Sequence, residues 1–281
     1  KPPFVLQLLV MKDHKLLEKE FQADGIKINW NNMGTSPQAA RAMGSGSLDI
    51  AGNMNTAALL MLNSEGLPVR VVTGTAHPTS NFAIVSKPGT ELSVRDLKGK
   101  QVVGPKGTFL HQLLVAALEK EGMKESDVQF INRSIPKALS TILAGHADAA
   151  LVASSALIKA NKAGAKTIIN AEGLVEPTLV MTTTKQFVEE HLDIVKRVDK
   201  VYAESLQWMK DHPAETAEMG AKEHGISVED AKTLMERSHY FDKITTKDLE
   251  DLKVNQKFLR DNGMMRNEVT VEELVLPVEM E

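Results

Sequence analysis

The chain contains no cysteine, which excludes disulfides, thiolate metal ligands and a cysteine nucleophile. Phe, Trp and Tyr together make up only 4% of it. With no aromatic cluster in the polar turns described below, a cage for a quaternary ammonium is disfavoured. No apolar run approaches the roughly 20 residues of a membrane span, and Lys1-Pro2-Pro3 lacks the apolar segment of a signal peptide. Acids and bases are interspersed to a formal charge of −4, without the basic stripe of an electrostatic nucleic-acid binder. Gly-x-Ser-x-Gly, His-Glu-x-x-His, Walker and dinucleotide motifs are all missing. The 8 histidines are scattered, and no His/Asp/Glu set has coordination spacing. The sequence therefore leads us to expect no catalytic residue, no metal and no cofactor.

What the chain does have is an internal echo. Ser36-Pro37-Gln38-Ala39-Ala40-Arg41-Ala42-Met43-Gly44-Ser45-Gly46-Ser47-Leu48-Asp49-Ile50-Ala51 returns as Ile135-Pro136-Lys137-Ala138-Leu139-Ser140-Thr141-Ile142-Leu143-Ala144-Gly145-His146-Ala147-Asp148-Ala149-Ala150. Each copy reads as a turn, Pro at a helix start, an apolar helix, Gly at its exit, then Asp before a small-residue strand. Pro suits the first helical turn because its missing N–H has no intrahelical partner there, and Gly suits the exit because it takes positive φ. The 281 residues, 42% of them hydrophobic, are enough to give one large or two ordinary domains a substantial core.

Phe4–Val10 and Ile26–Trp30 read as strands around a helix over Lys15–Phe21, with Gly25 as its exit. Further strand signals fall at Asp49–Gly52, Val69–Val72, Asn81–Ser86, Lys100–Val103, Val128–Ile131 and Thr178–Met181, with a helix over His111–Glu121. Strands alternating with helices predict layered α/β sheets. From Lys185 to Asn262 the sequence turns charged, amphipathic and helical, with breaks near His212-Pro213, Gly225 and Asp242. Leu206, Trp208 and Met209 there have the spacing of core residues. The second half-repeat is bracketed by two strand-like crossings, Phe82–Val85 and Leu179–Met181. The expected division is therefore a discontinuous lobe of 1–84 and 182–281 and a second lobe of 85–181, hinged at those strands.

The candidate site residues lie in turns that follow a strand and precede a helix: Gly34-Thr35-Ser36, Asn53-Met54-Asn55-Thr56, Gly107-Thr108, Arg133-Ser134 and Ser154-Ser155. Hydroxyl, amide and free backbone N–H donors at positive helix ends suit a small oxyanion. Each residue alone also reads as an ordinary helix cap. His77, in Gly74–Ser80, is either an anion donor or an ordinary loop histidine. Arg133 and Glu176 read either as the groups that recognise the acid and the amine of a zwitterion such as taurine or as ordinary solvated surface charges.

These segments, together with Val94-Arg95-Asp96-Leu97-Lys98-Gly99-Lys100-Gln101-Val102 and Ala144–Ala149, give the chain a specific resemblance. It resembles the periplasmic binding proteins of ABC importers for nitrate, taurine and aliphatic sulfonates, together with the related thiamine-precursor binders. The resemblance implies an α/β, two-lobed periplasmic-binding-protein type II fold with a hinge of two crossing strands and a central ligand cleft. It implies ligand contacts at Thr35, Ser36, Asn53, Met54, Asn55, His77, Thr108, Ser134 and Ser154. Asp49 and Asp148 then secure the starts of their strands. The partners implied are a small-molecule ligand (aliphatic sulfonate, taurine, nitrate-like anion or pyrimidine) and the membrane subunits of an ABC permease. It also implies a monomer, periplasmic or lipid-anchored outside the cell after loss of a signal peptide that this sequence does not contain. The chain departs from the family where Leu9–His14 runs almost directly into helix in place of a polar loop. Two other readings stay open: a same-fold enzyme such as a menaquinone-precursor lyase, and a ligand-sensing module. An adjacent permease gene would favour transport, and a fused output domain would favour sensing.

Overall fold

The computed structural model describes residues 4–33 and 36–276. The chain opens on two helices, α1 (Leu6–Asp13) and α2 (Leu16–Phe21), so the strand expected at Phe4–Val10 is helical. Leu6, Leu9 and Val10 share one helical face, and Gln7 and Met11 are buried on the other side of it, so the helix is covered nearly all round. Such an apolar run suits a buried strand equally well, and periodicity alone does not separate the two. Lys15, at φ 55, turns the chain into α2, and Gly25, at φ 68, ends the short turn after it. Ile26–Trp30, the second expected strand, joins no sheet among the described residues. Ile26, Ile28 and Trp30 nonetheless pack on the core, so the alternation signals burial without pairing.

The remaining elements follow the echo closely. They are α3 (Ser36–Gly44), β1 (Ile50–Asn55), α4 (Thr56–Ser64), β2 (Val69–Ala76), β3 (Phe82–Ser86) and β4 (Gln101–Gly104). Next come α5 (Phe109–Lys120), β5 (Gln129–Asn132), α6 (Ile135–Leu143), β6 (Ala149–Ala153), α7 (Ser155–Lys162), β7 (Thr167–Asn170) and β8 (Leu179–Thr184). Four helices close the chain: α8 (Lys185–Asp211), α9 (Pro213–His224), α10 (Val228–Ser238) and α11 (Thr246–Asp261). The two echoed helices end alike. Gly46 and Gly145 take φ 70 and 74, and the following N–H groups of Ser47 and His146 reach back to Ala42 O and Thr141 O at 2.8 and 3.1 Å, the helix-ending pattern that positive-φ glycine permits.

The chain divides into two compact units, one of Lys1–Ala76, Thr178–Met235 and Tyr240–Glu281, the other of His77–Pro177 and Glu236–His239. The first holds an antiparallel sheet of order β1-β8-β2, the second a sheet of order β5-β4-β6-β3-β7. Boundaries expected at 84/85 and 181/182 thus fall inside β3 and β8. Each of these strands pairs wholly within one sheet, β3 with β6 and β7, β8 with β1 and β2.

In the first unit, Tyr202, Leu206 and Met209 of α8 pack with Leu6, Leu9, Val10 and Phe21. Each such large apolar side chain contributes roughly 1.5–3 kcal/mol on burial. Arg197 ties α8 to Glu20 and Asp24 at 2.7 Å each and stacks over Phe21. In the second unit, Val85, Val103, Val152, Ile142 and Leu157 form the core.

Candidate ligand-binding site

In the second unit β4 runs parallel to both β5 and β6, so Gly104, Asn132 and Ala153 end at one edge of the sheet. A helix starts after each of them, with Thr108, Ser134 and Ser154 at the N-cap positions of α5, α6 and α7. Parallel strands thereby gather three positive helix ends at one edge, the arrangement in which open α/β sheets bind ligands. Two hydrogen bonds tie two of the loops together, one of them wholly between backbone groups. Arg133 N–H donates to Gly104 O at 2.8 Å, and Lys106 N–H to Asn132 Oδ1 at 3.0 Å. The segments 105–108, 133–134 and 154–155 carry two cations, Lys106 and Arg133, and no acid.

The three cap residues differ in what they leave available. Thr108 Oγ1 accepts from His111 N–H at 3.5 Å and donates to Pro105 O at 2.9 Å, so its hydroxyl proton is engaged within the turn. Ser134 and Ser154 are half-buried and make no side-chain cap bond. Among the described residues their hydroxyls are uncommitted. Ser154 also takes φ 53, ψ −128, a region open to glycine and costly for serine. Arg133 donates to its neighbour Asn132 O and is otherwise exposed, and Glu176 accepts from Thr79 Oγ1 at 3.2 Å. His77 is half-buried, with its backbone N–H on Ser238 O at 3.0 Å. Asp148 accepts from Gln101 N–H at 3.0 Å and so fastens the start of β4 to that of β6.

Behind this edge, His111 is 1% exposed. Gly107 N–H donates to its Nδ1 at 3.2 Å, so the ring proton sits on Nε2, which faces Glu125 Oε2 at 2.9 Å, and the ring stacks on Phe130. Burial pushes the imidazole below its ordinary pKa; Glu125 opposes this and Lys106 reinforces it. The folded protein thus holds His111 neutral, while the unfolded chain takes up a proton below about pH 6.5. The stability this contributes is complete above that value and is lost as pH falls through the folded pKa. Thermal melts from pH 7 to pH 5 are expected to show a fall in Tm that is shallower in His111→Gln.

In the first unit Ser36 and Asn55 meet directly. Asn55 Nδ2 and N–H both donate to Ser36 Oγ, at 3.0 and 3.4 Å, while Asn55 Oδ1 caps α4 through Ala58 N–H at 2.8 Å. Asn55 Oδ1 is thereby committed to the cap and one Nδ2 proton to Ser36, while the second Nδ2 proton and the Ser36 proton remain to donate. The turn expected over Asn53–Thr56 is instead the end of β1, with α4 starting at Thr56. Met54 is 0% exposed and its sulfur faces Thr182 Oγ1 at 3.8 Å, so the Met54 side chain belongs to the core and not to a pocket. Thr35 lies outside the described residues. A shift of register between Ala51 and Met54 sets an extra β1 residue against β8. Such a bulge re-aims the local side chains, and it is where Asn53 lies. Asn53 Oδ1 accepts from Thr75 Oγ1 at 3.1 Å. Thr75 and Lys106 were not among the candidates from sequence, and only the polar Gly-Thr step inside an apolar strand marks the former.

These two sheets and their helices define the periplasmic binding protein fold, shared with the alkanesulfonate-binding protein of Xanthomonas axonopodis pv. citri, solved bound to MOPS. Its TM-score is 0.84 at 20% identity, over 97% of this chain and 94% of that one. The chain belongs to the NMT1/THI5 like family, whose pattern matches residues 20–216. A Bacillus subtilis (strain 168) protein provisionally named as aliphatic sulfonates-binding is 25% identical over 247 residues, 86% of this chain and 74% of that protein. The taurine-binding periplasmic protein of Escherichia coli (strain K12) is 29% identical over 180 residues, 63% of this chain and 55% of that protein. These relatives are named as binding proteins, yet the desulfurization enzyme DSZB has the same fold, with a TM-score of 0.72 at 14% identity over 96% of this chain and 93% of that one. Among the described residues no helix is long and apolar enough to cross a membrane.

Proposed function

We propose that the protein is the solute-binding component of an ABC importer, working outside the cytoplasm, which captures a small oxyanion and hands it to a membrane permease. The observation that carries this reading is the edge of β5-β4-β6, where three helix N-termini, two uncommitted serine hydroxyls, Lys106 and Arg133 converge with no acid among them. Aliphatic sulfonates and taurine are the first candidates, because relatives carry those names and because sulfonate oxygens accept hydrogen bonds without needing a metal. The role is binding without turnover: this edge offers an anion donors and positive charge but no general acid–base pair and no cysteine.

The test is a thermal-shift screen of the purified chain against sulfonates, taurine, nitrate, carboxylates, phosphonates and pyrimidines, with each hit followed for product formation. A ligand that binds only the native state raises its apparent stability in a saturable way. A saturable shift with the compound recovered unchanged supports the reading. Turnover would move the protein to the enzyme class of DSZB, and the absence of a shift with every compound would remove the importer assignment.

A further inference from the structure

Asn53 can present either a carbonyl oxygen or an amino group, and which of the two faces outward decides whether this part of the site attracts donors or acceptors. The surroundings fix that choice. Thr75 is 0% exposed, and a buried hydroxyl must keep its proton bonded. Asn53 Oδ1, 3.1 Å away, is the acceptor that the described residues offer it. Were the amide reversed, Nδ2 would donate to Thr75 Oγ1 and the buried hydroxyl proton would be left without an acceptor among the described residues.

Thr75 is itself held firmly. Its carbonyl receives Tyr202 Oη–H at 3.2 Å, Phe241 N–H at 3.3 Å and Gln7 Nε2 at 3.5 Å, and Tyr202 Oη also lies 3.1 Å from Phe241 O. The strand register shows why this threonine reaches across β8. An extra residue of β2 falls between Gly74, opposite Val180, and Ala76, opposite Leu179, while the β1 irregularity at Gly52–Asn53 ends at Met54, also opposite Val180. The two bulges, on opposite sides of β8, thus follow one another and adjoin at Val180, and Thr75 and Asn53 meet there. With Oδ1 taken, Asn53 Nδ2 makes no bond among the described residues, and the residue is half-buried.

We propose that Thr75 is a specificity-determining positioning residue: its hydroxyl locks the Asn53 amide with the amino group outward, so that this unit selects ligands presenting only acceptor oxygens. The proposal rests on the solute-binding reading above. It explains discrimination by hydrogen-bond polarity without a charged side chain.

Calorimetric titration of wild type, Thr75→Val and Thr75→Ser with 1-butanesulfonate and with butane-1-sulfonamide, which carries an N–H donor, tests it. Wild type is expected to prefer the sulfonate. Thr75→Val should cut sulfonate affinity about tenfold and shrink the preference by a similar factor, because the freed amide can turn, whereas one hydrogen bond to a charged group is worth at least that much. Thr75→Ser should retain both. A folded Thr75→Val with unchanged preference overturns the proposal, since a merely structural role would move stability and not selectivity. Should Thr75→Val fail to fold, Asn53→Asp replaces the outward amino group by an acceptor, and undiminished sulfonate binding by that variant overturns the proposal equally. A ligand-free measurement separates this from the parent reading. In wild type the Asn53 Nδ2 protons, observed by NMR, should exchange with water as an unbonded amide does, even if neither probe binds; their protection would show them bonded to Thr75 and overturn the lock.

Discussion

Gly104→Ala is expected to lower stability by about 1–3 kcal/mol, as overpacked cores do, measured as a drop in the urea midpoint at unchanged slope. A Cβ built at Gly104 would lie 2.5 Å from Leu151 Cβ and 2.6 Å from its Cγ. These are the inner atoms of a side chain that is itself 0% exposed in β6, so no flexible tip can swing aside and the strands must part. Gly104 is also the last residue of β4, and its carbonyl holds Arg133 N–H. Strain there passes into the loops that carry Lys106 and Ser134, and weaker anion binding should accompany the lost stability. Gly44 supplies the control, because a Cβ there meets only Leu67 methyls at 3.6 and 3.7 Å. Alanine at that helical position should be neutral or stabilising by up to about 1 kcal/mol. Equal midpoints for the two variants would contradict the close approach of β4 and β6.

The contrast shows what the sequence made legible. The repeated Pro, Gly and Asp placed α3, β1, α6 and β6 because each of those residue types has a local, backbone-level reason for its position. Gly46 and Gly145 need positive φ wherever the chain leaves the helix. Phe4–Val10 and Ile26–Trp30 depart from the expected strands for the complementary reason: an apolar pattern reports burial, while a strand also requires a partner that no local pattern encodes. The site divided along the same line. Helix-cap chemistry picks out Ser134, Ser154 and Ser36, but it equally picks out Thr108 and Asn55, whose side-chain oxygens are engaged in the caps themselves. Met54 enters the contacts through the family resemblance alone, and the continuing strand buries it. Thr75 stayed invisible, because its meeting with Asn53 depends on two bulges set by the register of β8, a strand more than a hundred residues further along the chain.

Ser154→Gly should make the protein more stable and a poorer binder at once. Serine at φ 53, ψ −128 bears a strain of order 1–3 kcal/mol that glycine does not. Allowing for the greater freedom of glycine in the unfolded chain, the expected gain is about 1 kcal/mol, or roughly 3 °C in Tm. The backbone has reason to stay where it is, since Ser154 N–H donates to Asn81 O at 2.9 Å, and glycine preserves that bond. The hydroxyl, by contrast, caps nothing. If it donates to the bound anion, its loss removes a hydrogen bond to a charged group, about 1.5–3 kcal/mol, and affinity falls roughly 10- to 100-fold. Ser154→Ala separates the two effects: it keeps the strained Cβ and drops the hydroxyl, so affinity should fall by the same factor while Tm stays near that of wild type. A glycine variant that is both more stable and fully competent would mean that the strain at the start of α7 serves the fold alone, and the donor set at this edge would then reduce to Ser134, the backbone N–H groups and the two cations. Opposite changes in stability and affinity, measured on the same two variants, are what a binding residue held in an unfavourable conformation requires.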